Sequence, residues 1–277
     1  MRFNMYLLSF FSSYGMDENP TKYLFHFEHF LYFFLCIITF IILMKLYMHA
    51  SEKTRKRFVT FLLILMLLLK YGGEVIFVSE YYLYSNPVSS FTHPFLDYRT
   101  FFSFQMCGVN NVLLPLVIWF NFKPAKDFVY VTSIIGGLAV LIYPAGVLYG
   151  SPLVITFPML RSLIVHFLLV FVPCFLMYTS EFKLESKNWK NTLFGAILIS
   201  IWSMYGNLFV DPSANNMYLM INPFYGGPIP ILNIIPNGYH VIILLSLVFL
   251  GFLLVYYAAS KLNRYRDVHP YIEKSAL

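Results

Sequence analysis

The chain has 277 residues, of which 59% are hydrophobic and only 12% charged. A soluble domain carries about 25% charged residues, so a water-solvated globule is excluded. The net charge of +6 does not point to nucleic acid, because Lys and Arg lie in short loops between apolar stretches and not on one amphipathic face.

The three cysteines, Cys36, Cys107 and Cys174, all fall inside apolar stretches. An odd number there offers no disulfide framework and no zinc spacing, and neither a metal nor a cofactor is expected. Met1–Tyr14 is mildly apolar, but Asp17, Glu18 and Pro20 stand where a signal peptide would have its small-residue cleavage site, so none is expected.

In chain order, apolar stretches run over Glu28–Met48, Phe58–Tyr82, Phe101–Phe120, Phe128–Tyr149, Leu153–Tyr178, Thr192–Phe209 and Gly238–Ser260. Each approaches the ~20 residues needed to cross ~30 Å of hydrocarbon. With no water for the backbone, they must be helices, and they lack the alternation of a β-barrel. The fold class is therefore all-α: a polytopic membrane protein with a bundle of about seven transmembrane helices. No soluble domain is visible, so residues 1–277 read as a single integral membrane domain.

Lys45, Lys53, Arg55, Lys56 and Arg57 surround the first loop, and Lys123 and Lys126 lie in the third. Lys183, Lys187 and Lys190 lie in the fifth, and Lys261, Arg264, Arg266 and Lys274 in the tail. The opposite side holds only Arg2, Lys22 and Arg99. Fourteen against three puts the N-terminus outside and the C-terminus in the cytosol. The cell membrane is the expected location.

The outer connection Gly206–Gly238 carries no Lys or Arg but has Pro212, Pro223, Pro228, Pro230 and Pro236. It is too broken for a helix and too apolar for a solvated loop. Long loops are usually functional, and irregular backbone at membrane depth survives where protein covers it or a cavity lies beside it. It reads as a lid over the outer mouth of the bundle.

Ionisable or polar residues inside apolar helices are costly and mark sites by default. Lys70 and Glu74 share one face of the second helix at i,i+4 spacing, where they could neutralise each other. Cys107, Asn110 and Asn111 share a face of the third, and Ser162 and His166 one of the fifth, with Arg161 adjacent. With Thr100 as N-cap of the third helix, Cys107 would lie ~10 Å in from the outer end. With Thr156 as N-cap of the fifth and Pro158 in its first turn, His166 would lie ~15 Å in. Glu74 falls at ~12 Å and Lys70 at ~18 Å, so one polar cavity in the outer half is expected. The alternatives are structural: Lys70–Glu74 as an ion pair between helices, Asn110 and Asn111 as interhelical glue, and Cys36 and Cys174 as packing residues.

Three short stretches carry a family resemblance: Phe104-Gln105-Met106-Cys107, Arg161-Ser162-Leu163-Ile164-Val165-His166 and Asn215-Asn216-Met217-Tyr218-Leu219. In order and spacing the chain resembles the YwaF family, the bacterial branch of the transmembrane protein 164 family. That family usually shows Leu-Pro-Leu-His/Gln-x-Cys, where this chain has Phe102-Ser103-Phe104 in place of leucine–proline but keeps Gln105 and Cys107. It usually shows Asn-Tyr-Met-Tyr in the lid, where this chain has Asn216 for the first tyrosine.

The resemblance implies a lipid acyltransferase with Cys107 as nucleophile and His166 as its base. Gln105, Asn110, Asn111, Arg161, Lys70, Glu74, Asn215 and Tyr218 would line the substrate site, though Gln105 falls on another helical face from Cys107. The implied partners are membrane lipids, an acyl donor and a lysolipid acceptor. The residues leave a second class open, a small-solute transporter or channel with a polar cavity in the outer half. A retinal-type receptor is disfavoured, because the last helix has no lysine before Lys261.

Overall fold

The computed structural model describes residues 10–11, 24–83, 102–144, 147–148, 155–227 and 229–268, without the side chains of 74–83 and 268. Among these residues seven long α-helices form: α1 Phe27–Tyr47, α2 Glu52–Leu83, α3 Met106–Trp119, α4 Lys123–Ile142, α5 Phe157–Tyr178, α6 Trp189–Tyr205 and α7 Tyr239–Val268. The all-α expectation holds. Five of them, α1, α4, α5, α6 (with its flanking turns) and α7, are long and apolar enough to cross a membrane.

The helices alternate in direction, and contacts at their ends show it. At one end Arg55 Nε, before the long apolar run of α2, donates to Glu181 after α5 at 2.9 Å. Asn191 of α6 donates to Asp127 of α4 at 3.1 Å, and Asn263 of α7 donates to the Leu184 carbonyl at 3.0 Å. The loop lysines and arginines counted above gather at this end, which faces the cytosol by the positive-inside rule. Arg2, Lys22, Arg99 and Lys274 lie outside the described residues.

Burial sorts the helices into centre and rim. Nearly every residue from Asp127 to Gly137 of α4 is buried, and α5 is buried on most of its surface. In α1 only His29 is buried, while Phe30, Phe34, Leu35 and Ile41 are exposed. A rim of exposed Leu, Ile and Phe is what hydrocarbon solvates, so α1 and α7 are lipid-facing.

The centre closes through small residues. In a membrane, helices gain from direct backbone approach more than from apolar burial, since lipid is as apolar as leucine. A methyl group on Gly136 of α4 would meet Met106 Cε at 3.2 Å and Cys107 Cβ at 3.9 Å on α3. One on Gly137 would come to 2.7 Å from both the His166 carbonyl oxygen and Val170 Cγ2 on α5. Asn110 Nδ2 adds an α3–α4 bond to Thr132 Oγ1 at 3.0 Å. Pro115 and Pro173 sit inside α3 and α5, where neighbouring helices surround them.

The third helix is shorter than expected. It starts at Met106 with Gln105 as N-cap, and residues 102–104 are not helical. That stretch is drawn off to α6: Trp202 Nε1 donates to the Ser103 carbonyl at 2.9 Å, and Ser203 Oγ donates to the Phe104 carbonyl. Thr100, the expected N-cap, lies outside the described residues, and the helix begins beyond it in any case. By contrast Thr156 does cap α5, accepting from the Met159 N–H at 3.4 Å, with Pro158 in the first turn.

The connection after α6, read above as a lid, makes contacts back to the start of α3 and to the core through Met217. It opens with a π-helical turn at Gly206–Val210 and contains two short 3-10 turns, Asn216–Tyr218 and Leu232–Ile234. Side-chain amides supply the hydrogen bonds that a helix would otherwise make internally. Buried Asn207 accepts from the Asn216 N–H at 2.7 Å and from Asn216 Nδ2 at 2.8 Å, and donates to the Asn216 carbonyl at 3.1 Å. Asn222 Nδ2 donates to the Leu232 and Ile235 carbonyls at 2.9 and 2.8 Å. Two consecutive residues, Met217 and Tyr218, take positive φ of 53° and 55°. That conformation costs energy for residues with a Cβ and persists where surrounding contacts impose it.

The close approach at α4 gives a paired expectation. Gly137→Ala should destabilise by about 1–3 kcal/mol through overpacking against a backbone oxygen. Gly72→Ala on α2, where a methyl meets nothing within 4 Å, should leave the melting temperature in detergent unchanged or higher. Equal melting of Gly137→Ala and the parent chain would contradict the geometry. For the lid, Asn207→Ala strands the Asn216 amides and should cost about 1–3 kcal/mol. It should speed thermolysin cleavage within residues 206–238.

Candidate active site

Cys107 is the second residue of α3, so it lies ~3 Å into the helix rather than ~10 Å. The change matters chemically. A helix N-terminus presents N–H groups with no intrahelical partner, and Gln105 does not cap them with its side chain. Cys107 is a free thiol in this first turn. Helix N-termini are where a thiolate, or an oxyanion next to one, is stabilised by the macrodipole.

His166 is 8% exposed, ten residues into α5. Its Nδ1 lies 2.7 Å from the Ser162 carbonyl oxygen and 3.3 Å from Ser162 Oγ. A carbonyl oxygen only accepts, so Nδ1 carries the proton and donates to it, and Nε2 holds the lone pair. Nε2 is buried and makes no hydrogen bond among the described residues. Arg161 acts on the ring electrostatically.

The structure does bring Cys107 and His166 to one level. They flank adjacent residues of α4, Gly136 on the Cys107 side and Gly137 on the His166 side, ~9 Å below the outer end of that helix. No hydrogen bond joins the two side chains. Both belong to the outer half.

The other expected site residues divide into three groups. Asn110 is fully buried and bonded to Thr132 through Nδ2, and among the described residues its Oδ1 and that of Asn111 are buried without a hydrogen-bond partner. Asn110 is therefore interhelical glue on one atom and an unmet acceptor on the other. Lys70 stands 5.0 Å over the Tyr71 ring and lies within electrostatic reach of the Cys107 thiol. Arg161 spreads its guanidinium across Gly73 of α2, in the space a methyl there would take. The Glu74 side chain, and with it the Lys70–Glu74 pairing, lies outside the described residues.

Gln105 and Asn215 hold the lid. Gln105 Oε1 accepts from the Met217 N–H at 2.8 Å, latching the lid to the start of α3. Asn215 Oδ1 accepts from the Met220 and Ile221 amides at 3.0 and 3.1 Å, and its Nδ2 donates to the Ile221 carbonyl at 2.8 Å. Its side chain is wholly engaged by its own loop. Tyr218 stands apart from both, because its phenol interacts electrostatically with Cys107 and with Tyr143.

Further residues contribute to the site. His240 at the start of α7 accepts the Gly238 N–H on Nδ1 at 3.0 Å, so Nε2 carries the proton and donates to the Tyr218 carbonyl at 2.9 Å. Tyr143, just past α4, has a buried hydroxyl without a hydrogen-bond partner among the described residues and packs its ring 5.2 Å from that of Phe224 in the lid. Gly136 and Gly137 were visible as a helical glycine pair, a small-residue signal of close packing, but nothing in the sequence told which helices would meet there.

Among the described residues no cluster of His, Cys, Asp and Glu forms a metal site. No curated protein and no solved structure matches the chain. A protein-family model, that of the TMEM164 family, matches residues 24–258, which takes in all seven helices almost to their ends. This multi-pass membrane protein belongs to the TMEM164 family.

Proposed function

We propose that the chain is a cysteine-dependent acyltransferase of the cell membrane that moves acyl groups between phospholipids and lysophospholipids. The observation that carries this reading is the unpartnered, lone-pair-bearing Nε2 of buried His166, held at the level of a thiol on a helix N-terminus. A buried imidazole fixed in the Nδ1–H form is equipped as a base, and such a position is what a nucleophilic cysteine requires.

In the first half-reaction His166 Nε2 takes the thiol proton and Sγ attacks the ester carbonyl of a phospholipid. The C–S bond forms, the ester C–O bond breaks, and the departing lysolipid oxygen takes the proton back from His166. The second half-reaction reverses these steps with another lysolipid. Its hydroxyl gives its proton to His166, its oxygen bonds the acyl carbon, and the thiol is released. Negative charge on the tetrahedral carbonyl oxygen would be met by first-turn amides of α3 and by the Asn111 side chain. Lys70 lies within electrostatic reach of the thiol and Arg161 within reach of the imidazole, where each opposes the cost of burying a negative charge.

Asn110 and Asn111 support a second reading. Two carbonyl oxygens buried without partners inside the bundle also suit a polar solute, as a transporter would bind it.

Purified protein incubated with a phosphatidylcholine radiolabelled in its acyl chain should trap label on Cys107, sensitive to hydroxylamine and absent from Cys107→Ala. His166→Gln should slow the transfer by about 10²–10⁴-fold, the usual worth of a positioned base. Full lipid turnover by Cys107→Ala would reject the acyl-enzyme. Solute flux in proteoliposomes that survives Cys107→Ala would favour the transporter.

A further inference from the structure

Beside the start of α3 a groove of about 600 Å³ opens on the rim of the bundle, lined by Phe102, Phe104, Leu198, Ile201, Trp202 and Tyr205. Its volume falls within the range of small-molecule sites, ~300–1,000 Å³. One wall is a single face of α6, since 198, 201, 202 and 205 follow helical i, i+3, i+4, i+7 spacing. The other is the non-helical stretch that leads into Gln105, Met106 and Cys107.

The walls are held in place. The bonds from Trp202 to the Ser103 carbonyl and from Ser203 to the Phe104 carbonyl tie them together. Phe104 stacks on Trp202 at 4.8 Å, Trp202 on Tyr205 at 5.8 Å, and the Phe104 ring fills the space beside Gly206. A Cβ on Gly206 would displace that ring. The groove is thus built from fixed aromatic walls rather than from mobile side chains.

Its mouth opens sideways. Phe102, Leu198 and Ile201 are 59%, 51% and 61% exposed, on the surface that hydrocarbon solvates. Whatever enters comes from the bilayer without crossing water, and the bilayer at that depth contains acyl chains. The span from Leu198 to Tyr205 is ~10 Å along α6. It runs from the outer end towards the bilayer centre, the direction taken by an outer-leaflet lipid tail below its ester. The upper end, at Phe104, is three residues from Cys107 and continuous with it in the chain.

We propose that this groove is a docking site for one acyl chain of an outer-leaflet phospholipid, gripping the part of the chain nearest its ester. The consequence for transfer at Cys107 rests on the acyl-transfer reading above, whereas occupancy of the groove does not.

The full chain and its Cys107→Ala variant, in phosphatidylcholine vesicles, are photolysed with a phosphatidylcholine bearing a diazirine on the upper acyl chain, and the labelled residues are mapped. The comparison surface is the outer half of α7, where Ile242, Leu245 and Phe249 are 64%, 55% and 56% exposed. Label on residues 198–205 should exceed that on residues 242–249 by about tenfold in both proteins. Equal labelling of the two faces, meaning bulk lipid only, overturns the proposal. Ile201→Trp fills the groove at an exposed position where folding is not at stake, and it should remove the excess. Persistence of the excess in that variant also overturns the proposal. If the excess appears while no acyl group is ever trapped on Cys107, the groove stands and the acyl-transfer reading fails. If acyl-Cys107 forms while labelling is uniform, the groove fails alone.

Discussion

The structure turns on the glycine pair in the outer half of α4. In hydrocarbon the hydrophobic effect does not draw leucines together, so close packing organises the bundle, most tightly where backbones approach. Gly136 and Gly137 are successive residues and face different neighbours, α3 on one side and α5 on the other. One helix therefore serves as a common wall for two others, which explains why α4 is buried along so much of its length while α1 and α7 remain on the rim. The same two residues set the relative level of Cys107 and His166. A larger residue at Gly137 would press on the His166 backbone carbonyl and Val170, and one at Gly136 on the end of the Met106 side chain.

A second constraint is the satisfaction of polar groups away from water. The lid has little regular structure, so its backbone amides need other partners, and they find them in side chains. Asn207, Asn215, Asn222, Asn237, Gln105 and His240 all bond lid backbone atoms. Three of these anchors belong to helices or their ends, so the lid is fixed to α3, to the π turn after α6 and to α7 together. Held this way, Met217 packs against the core and Tyr218 brings its phenol to the Cys107 side. Against this background the atoms left unpaired are informative. Among the described residues His166 Nε2, the Asn110 and Asn111 carbonyl oxygens and the Tyr143 hydroxyl are buried without hydrogen-bond partners in the outer half, as are Asp127 Oδ1 and Ser133 Oγ nearer the cytosolic end of α4.

The short third helix connects these features. Because residues 102–104 are bonded to α6, α3 cannot begin until Met106, and its free N-terminal amides fall at Cys107 instead of at the membrane surface. The stretch that was given up as helix forms one wall of the aromatic groove. A single pair of bonds from Trp202 and Ser203 thus shapes both the environment of the thiol and an opening towards the lipid.

The all-α fold, its alternation and its direction were legible in the sequence, because crossing hydrocarbon demands ~20 apolar residues per helix and leaves basic residues on the cytosolic side. The cap at Thr156 was legible too, since Thr before Phe-Pro acts locally. The lid's irregularity followed from its prolines. The start of α3 was not legible: residues 102–105 are apolar enough for helix, and only bonds to α6, ~100 residues distant, take them out of it. The use of Gln105 and Asn215 as lid fasteners was hidden for the same reason, because an amide side chain carries no mark of what it will bond. By itself the sequence determined which segments enter the membrane and which end of each faces the cytosol, as these depend on composition summed along the chain. Only the tertiary structure decided that Gly136 and Gly137 set Cys107 and His166 at one level, and which imidazole nitrogen stays free there. The first depends on close approach between helices distant in sequence, the second on the ring orientation that brings Nδ1 to the Ser162 carbonyl within α5.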